Sequence, residues 1–400
     1  MSRQGRRARS LPPVVRRLGI VSFFNDFASE MVYPLLPALV TATLGGTAVS
    51  LGALDGVAEA ASAVAKLGSG VAADRPRRRR LLVIGGYAIA AVVRPVMGLA
   101  GAAWQVIALR GTDRLGKGVR TPARDAVIAD ATDQDMQGRA FGYHRAMDHA
   151  GAVVGPLVAW VLVARLAMGP DEVIAWSLVP GLLAVAAVTW ALTGRHAIPM
   201  APAAPTTPGP VVAQASDTRT VFGLIVAYAF ARMPETLLLL RLQDVGVRLA
   251  LVPVLWALLH VVRTGASYPG GWLSDVVGPR RTMALGWILY AGVCLGMGWG
   301  GSEEHVVLWF LAFGLVAGVT ESPERSFVSR AGSRGRRGSR FGLYHASVGL
   351  VALPGSLLLG WIYTKAGGPE ALTVSGAVVA VLGVAAMLGV GRTAPAPGDS

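Results

Sequence analysis

The sequence predicts an all-α membrane protein of about twelve transmembrane helices, arranged as two pseudo-symmetric six-helix bundles. Three observations carry that prediction. Of 400 residues, 53% are hydrophobic and only 15% charged, where a soluble chain carries roughly 25% charged residues. Apolar stretches such as "LLVIGGYAIAAVVRPVMGLAGAAW" and "LTVSGAVVAVLGVAAMLGV" recur along the whole chain, each long enough to meet the roughly 20 residues that a hydrocarbon core demands. Finally, short strings repeat at an interval of 200 or 201 positions: "GVAADR" at Gly70 returns as "GWLSDV" at Gly271, "TPAR" at Thr121 as "SPER" at Ser322, and "FGYH" at Phe141 as "FGLYH" at Phe341. A large soluble helical protein fits poorly, because its helices would keep a polar face.

The first half reads as spans Leu18–Ala42, Val49–Ala72, Leu81–Ala100, Trp104–Asp130, Arg139–Val163 and Glu172–Leu192. The second half reads as Thr220–Arg241, Ala250–Trp272, Arg281–Trp299, His305–Val328, Arg340–Tyr363 and Ala371–Gly391. Between them, "HAIPMAPAAPTTPGPVVAQASDTRT" is rich in Pro, Ala and Thr and reads as an extended linker. The domains expected are therefore residues 1–195, a cytoplasmic linker 196–219, and residues 220–400. Parallel halves around a midplane site are a transporter plan.

The net charge of +14 is read as basic loops on one side of a membrane, not as a nucleic-acid surface. Arg3, Arg6, Arg7, Arg9, Arg16 and Arg17 precede or open the first span, "DRPRRRR" follows the second, and "SRAGSRGRRGSR" follows the tenth. The opposite loops are short and nearly free of Lys and Arg. The positive-inside rule places both termini in the cytoplasm of a plasma-membrane protein. No cleavable signal is evident, and the single cysteine, Cys294, excludes an intrachain disulfide and a cysteine-based metal cluster. No phosphate loop stands out, so neither an ATP-driven pump nor an enzyme is expected, and no cofactor.

Charge inside the spans is uneven. Spans six, nine and twelve carry essentially none, and span three only Arg94; every third span is expected to face lipid. An intramembrane charge costs several kcal/mol unless it faces a cavity or a partner. At about 100° per residue, Arg110, Asp113, Arg114, Lys117, Arg124 and Asp125 share one stripe of span four, with Arg120 at its margin. Span one offers Asp26 and Glu30, and span two Asp55 and Glu59, each pair one turn apart. Asp148 and His149 on span five reach a similar depth, as do Arg232 and His260 in the second half. Arg110, Asp113, Arg114, Lys117, Arg124, Arg232, Glu235, His260 and His345 are candidates for a substrate cavity. Asp26, Glu30, Glu59, Asp148 and His149 are candidates for proton coupling, because burial raises a carboxyl pKa towards working pH and a nearby arginine lowers it. The same charges also permit a reading as structural ion pairs, although buried pairs rarely stabilise more than apolar packing does.

These residues resemble a bacterial transporter of the major facilitator superfamily over nearly the full length. "GVAADRPRRRR" resembles that superfamily's Gly-x-x-x-Asp-Arg-x-Gly-Arg-Arg loop, and "GGWLSDVVGPRR" resembles its second copy. The loop glycine is missing from the first copy, which reads Pro76-Arg77 there. The resemblance implies a gate built on Gly70, Asp74, Arg75, Gly271, Asp275, Arg280 and Arg281. "GAVVGPLVAW", with Gly151, Gly155 and Pro156, resembles the span-five motif associated with antiporters. "SEMVYPLLP", "DRLGKGVRTPARDAVIAD", "GRAFGYHRAMDHAGAVVGP", "LLLLRLQDVG" and "ESPERSFVS" resemble a narrower, small-molecule efflux-like subgroup, from which "ARMPET" departs. The expectation is a secondary active transporter working by alternating access, exporting a small organic molecule against protons, as a monomer in the bilayer. The alternatives are divalent metal export through Asp26, Asp148, His149 and His345, proton-coupled uptake, and a non-transporting scaffold.

Overall fold

A computed structural model describes residues 10–73, 76–132, 136–193, 215–330 and 337–389. These residues form helices and no strand. In chain order the spans are α1 (Pro13–Val32), α2 (Ala48–Ala73), α3 (Pro76–Val96), α4 (Ala103–Asp130) and α5 (Gln137–Leu166). Then come α6 (Pro170–Trp176 and Leu178–Thr193), α7 (Ala215–Ala231 and Glu235–Asp244), α8 (Val252–Val277) and α9 (Pro279–Trp299). The last are α10 (Glu303–Arg330), α11 (Arg337–Ala366) and α12 (Gly368–Leu388). Ten of these satisfy the length and hydropathy of a membrane span. The other two, α1 and α4, carry their charges in mid-helix, and they build much of the site.

Prolines punctuate the helices where a proline's missing N–H and fixed φ demand it. Pro13 opens α1. Pro34 and Pro37 turn its continuation into a 3₁₀ turn (Tyr33–Leu35), a short α segment (Leu36–Ala38) and a π turn (Leu39–Thr43). The first predicted span is thus bent at its far end. Pro234 lies in the gap that interrupts α7. Between α8 and α9, Gly278 takes φ of 90°, a conformation open to glycine and strained for other residues. Helix α7 begins at Ala215, inside the predicted linker; residues 194–214 lie outside the described residues.

In the first half α1 packs on α5 and α6, α2 on α4, and α3 on α4 and α6; in the second, α8 packs on α10, α9 on α10 and α12, and α7 on α11. The halves meet along α2 with α11 and α5 with α8. Gly151 and Gly155 permit the α1–α5 contact: a Cβ at either position would strike the carbonyls of Phe23 and Phe27. Twelve passes return the chain to the end where it began. The opposite end holds the connections from α1 to α2, α3 to α4, α5 to α6, α7 to α8, α9 to α10 and α11 to α12.

Exposed apolar rows mark the outside: Trp176, Leu182, Leu183 and Trp190 on α6, and Val374, Val378, Val381 and Leu388 on α12. Helix α3 and the 3₁₀ turn that follows it (Met97–Leu99) do the same with Leu81, Ile89, Val92 and Leu99. Helix α9 departs from the expectation. Leu285, Ile288 and Trp299 are exposed, yet it is the most buried of the ten spans, because α10 and α12 both lie against it.

Candidate substrate cavity

The charges of span four divide between two surroundings. Asp113 and Arg120 occupy one flank of the helix and are buried to 0% and 2% exposure. Asp113 accepts from Arg94 Nε of α3 at 2.9 Å and from Arg110 Nη1 at 3.4 Å. Arg94 also donates to the Asn25 carbonyl at 2.9 Å. Arg120 donates to the Gly86 carbonyl at 3.2 Å and to Asn25 Oδ1 at 3.1 Å, with its guanidinium 4.5 Å from the Tyr87 ring centre. This cluster ties α1, α3 and α4 together. Arg120, at the margin of the stripe, thus faces α1 and α3 and not the cavity, with Arg94 its counterpart from α3. The 3.6-residue period fixed a broad stripe; the position of α3 decided which part of it faces protein.

The other flank faces a cavity between the halves, with about 800 Å³ of empty space, part of it open to solvent. Arg110, Arg114 and Lys117 line it from α4, Glu30 and Tyr33 from α1 and its continuation, and Asp55 and Glu59 from α2. The second half contributes Arg232, Met233, Pro234 and Glu235 at the α7 interruption, and Trp256, His260 and Arg263 from α8. Asp113, Arg124 and His345, expected to line the cavity, do not border it. Asp113 is turned to Arg94; Arg124 pairs with its neighbour Asp125 at 2.9 Å, further along α4; His345 stands beside Tyr344.

The α7 interruption has a specific support. Met233 N donates to Tyr290 Oη at 2.7 Å, Tyr290 Oη and Ser375 Oγ are 2.9 Å apart, and Ser375 Oγ donates to the Ala231 carbonyl at 2.7 Å. Residues of α9 and α12 thus satisfy backbone groups that the break frees, as apolar surroundings require. The break projects Arg232 into the cavity. It also exposes a new helix start at Glu235, where Thr236 N and Oγ1 donate to Asp55 Oδ2 of the other half at 3.1 and 2.9 Å. Tyr33 Oη reaches the same carboxylate at 3.1 Å. A carboxylate at a helix N-terminus is favoured by the free N–H groups and the dipole.

Glu30 makes the second bridge between the halves. It accepts from Trp256 Nε1 at 2.9 Å, and His260 Nε2 lies 3.6 Å away. Glu235 pairs with Arg263 at 2.8 Å. Asp26, one turn from Glu30 towards the terminus-bearing end, accepts from Asn25 Nδ2 at 2.7 Å and lies within electrostatic reach of Asp148 and Lys117. Asp148 accepts from Ser22 Oγ and sits 3.5 Å from His144 Nδ1. His149, half-buried on α5, lies within electrostatic reach of His260. Of the proton-coupling candidates, Glu30 and Glu59 line the cavity, while Asp26, Asp148 and His149 stand outside its wall.

The gate residues are only partly described. Asp74 and Arg75 lie outside the described residues, as do the surroundings of Gly70 and the side chain of Asp275. Gly271 is half-buried in α8, Arg281 is exposed, and Arg280 Nε donates to the Ala386 carbonyl in the last turn of α12 at 3.0 Å. Among the described residues no group of three or more His, Cys, Asp or Glu side chains is placed to hold a metal ion.

Sequence reasoning missed Tyr33, Trp256 and Arg263. Arg263 follows His260 by three residues and so shares its face, a signal that was available. Trp256 sits in an apolar run and gives none.

The Major Facilitator Superfamily family model matches residues 18–261 and 220–400. An uncharacterized MFS-type transporter of Methanocaldococcus jannaschii is 28% identical over 390 residues, covering 94% of each chain. The solved structure of the nucleoside transporter NupG superposes with a TM-score of 0.74 at 13% identity, covering 96% of this chain and 100% of that one. A POT family transporter, solved in complex with a thioalcohol conjugated peptide, superposes with a TM-score of 0.73 at 12% identity, covering 94% and 95%. These two likenesses concern the fold. The chain belongs to the Major Facilitator Superfamily and is a multi-pass membrane transporter.

Proposed function

We propose that the protein is a proton-coupled secondary transporter that exports a small organic molecule by alternating access. The observation that carries this reading is the cavity between the halves, bridged by Glu30 to Trp256 and by Asp55 to Thr236. The contacts between α2 and α11 run from Ala48 with Gly360, through Gly52 with Ser356, to Ala63 with Gly349. They begin at the first residue of α2, at the opposite end, and run past its middle, which supports closure of the cavity on that side. With the basic loops placed in the cytoplasm, this is an inward-open state. Glu30 is the coupling residue of choice: protonating it weakens a bridge between the halves and so links proton occupancy to their separation. Asp26 and Asp148 extend a line of carboxylates from Glu30 towards the cytoplasm. The outward direction rests on the span-five resemblance, and one chain supplies the whole cavity, in keeping with a monomer.

The test uses Cys294→Ser protein carrying Ala229→Cys in the cavity wall, reconstituted in proteoliposomes. A pH gradient is expected to drive saturable flux of at least one member of a substrate panel, abolished by a protonophore. The cysteine is expected to react with an impermeant thiol reagent from both faces during turnover. Reaction from one face only would remove alternating access. Flux indifferent to the protonophore would remove the proton.

A further inference from the structure

Resting on the transporter reading, we propose that the substrate is an organic anion whose carboxylate or phosphate is held jointly by Arg114 and Lys117 of α4 and Arg232 of α7. The argument is an account of which charges at the cavity are already engaged. Glu30 accepts from Trp256, Asp55 from Thr236 and Tyr33, and Glu235 from Arg263. Asp113, beneath the wall, is taken by Arg94 and Arg110; Arg114 lies 3.9 Å from it, a third claimant on the same group. Lys117 and Arg232 are exposed to the cavity, and among the described residues the Lys117 ammonium and the Arg232 guanidinium make no hydrogen bond or ion pair. The carboxylate at the cavity without such a bond is Glu59, which lies within electrostatic reach of Arg114, Lys117 and Arg232.

Three cations therefore share one uncommitted carboxylate, in a position where charge without a partner is costly. An anion entering between α4 and α7 supplies the missing negative charge. A cation would meet repulsion from all three. Guanidinium groups suit carboxylate and phosphate because their paired N–H donors match the oxygens. Ala229, Met233, Pro234 and Ala352 line the same cavity and provide apolar surface for the organic part. Since Lys117 belongs to the first half and Arg232 to the second, the bound anion joins the halves, and its arrival or departure acts on their separation.

The experiment uses the full chain in a neutral maltoside detergent and matched probes: phenylacetate, benzylphosphonate, phenylacetamide and phenethylamine, with hexanoate, hexanamide and hexylamine. Thermal unfolding and equilibrium binding are measured for each. The anions are expected to raise the unfolding temperature, and the amides and amines to leave it unchanged. Arg232→Gln and Lys117→Gln are expected to weaken anion binding about tenfold, the loss of one charge-assisted hydrogen bond, with partial recovery in Arg232→Lys. Neither substitution strands a bonded partner, so the unliganded variants should unfold near the wild-type temperature. Preference for phosphonate over carboxylate would assign the source of the anion. Amines or amides that match or exceed the anions, no response to any anion, or unchanged binding in both Gln variants would overturn the proposal. If Ala229→Cys still reacts from both faces during turnover in that event, the anion assignment fails and the transporter reading stands.

Discussion

At the residue scale, Arg94 carries the strongest structural consequence. It is 2% exposed and bonds Asp113, which is fully buried between Arg94 and Arg110. Removing one partner of such a pair leaves an uncompensated charge, at a cost of about 3–5 kcal/mol. Arg94→Gln leaves Asp113 with Arg110 and is expected to lower the unfolding temperature, and Asp113→Asn, which leaves both buried arginines without their carboxylate, is expected to lower it further. Thermal unfolding of the purified variants checks this. A larger fall in Arg94→Gln than in Asp113→Asn would mean that Arg110 does not depend on Asp113. Glu30→Gln makes a different prediction, because Glu30 borders solvent-filled space and the amide retains an acceptor for Trp256. Folding is expected to be unaffected, while flux loses its dependence on the pH gradient and substrate binding is largely kept. Wild-type gradient-driven flux in Glu30→Gln would reject its coupling role, and loss of coupling in Asp148→Asn alone would move the proton site to α5.

At the element scale, the α7 interruption depends on residues far away in sequence. Tyr290→Phe removes the acceptor of Met233 N and one link to Ser375. An unsatisfied buried backbone donor costs about 1–3 kcal/mol. The expected result is a destabilised protein with a larger loss of substrate affinity than a remote lining mutation would cause, because Arg232 is carried by the same segment. Binding to Tyr290→Phe at unchanged affinity would show that the break holds its geometry without α9. The contact of α2 with α11 also joins residues distant in sequence. A Cβ at Gly56 would lie 2.9 Å from Leu353 Cα, and backbone cannot retreat as a flexible side chain can. Gly56→Val is therefore expected to force α2 from α11 and to increase reaction of Ala229→Cys from the opposite face.

At the scale of the whole molecule, the proposed alternating access requires that the directed contacts between the halves be reversible. Asp55 on the start of the second α7 segment is one of them. Asp55→Asn weakens its charge–dipole attraction, and Thr236→Val removes a hydrogen bond. Each is expected to shift the equilibrium by about 1 kcal/mol, several-fold in population. The readout is the ratio of Ala229→Cys labelling rates from the two faces, which should move towards the opposite face in both variants. An unchanged ratio would mean that the Glu30 bridge and the α2–α11 contact suffice for closure.

Composition and period by themselves determined that the chain crosses the membrane many times, where most spans run, and that α1, α2, α4, α5, α7, α8, α10 and α11 carry the charge. Those properties are local: apolar length and a 3.6-residue repeat act within one helix, and charge in a span demands a cavity or a partner whatever the neighbour is. The halves' repeat was legible for the same reason, as short strings that return after 200 or 201 positions. Which charges pair and which face the cavity was decided by the tertiary structure alone. Asp113 and Lys117 are one turn apart on one helix, yet α3 brings Arg94 to the first and leaves the second open. The role of Tyr290 and Ser375 at the α7 break, and of Trp256 opposite Glu30, likewise follows from contacts between residues 57 to 226 positions apart. No single-helix period encodes such pairs, because what selects them is the packing of neighbouring helices and the demand that every buried polar group find a partner.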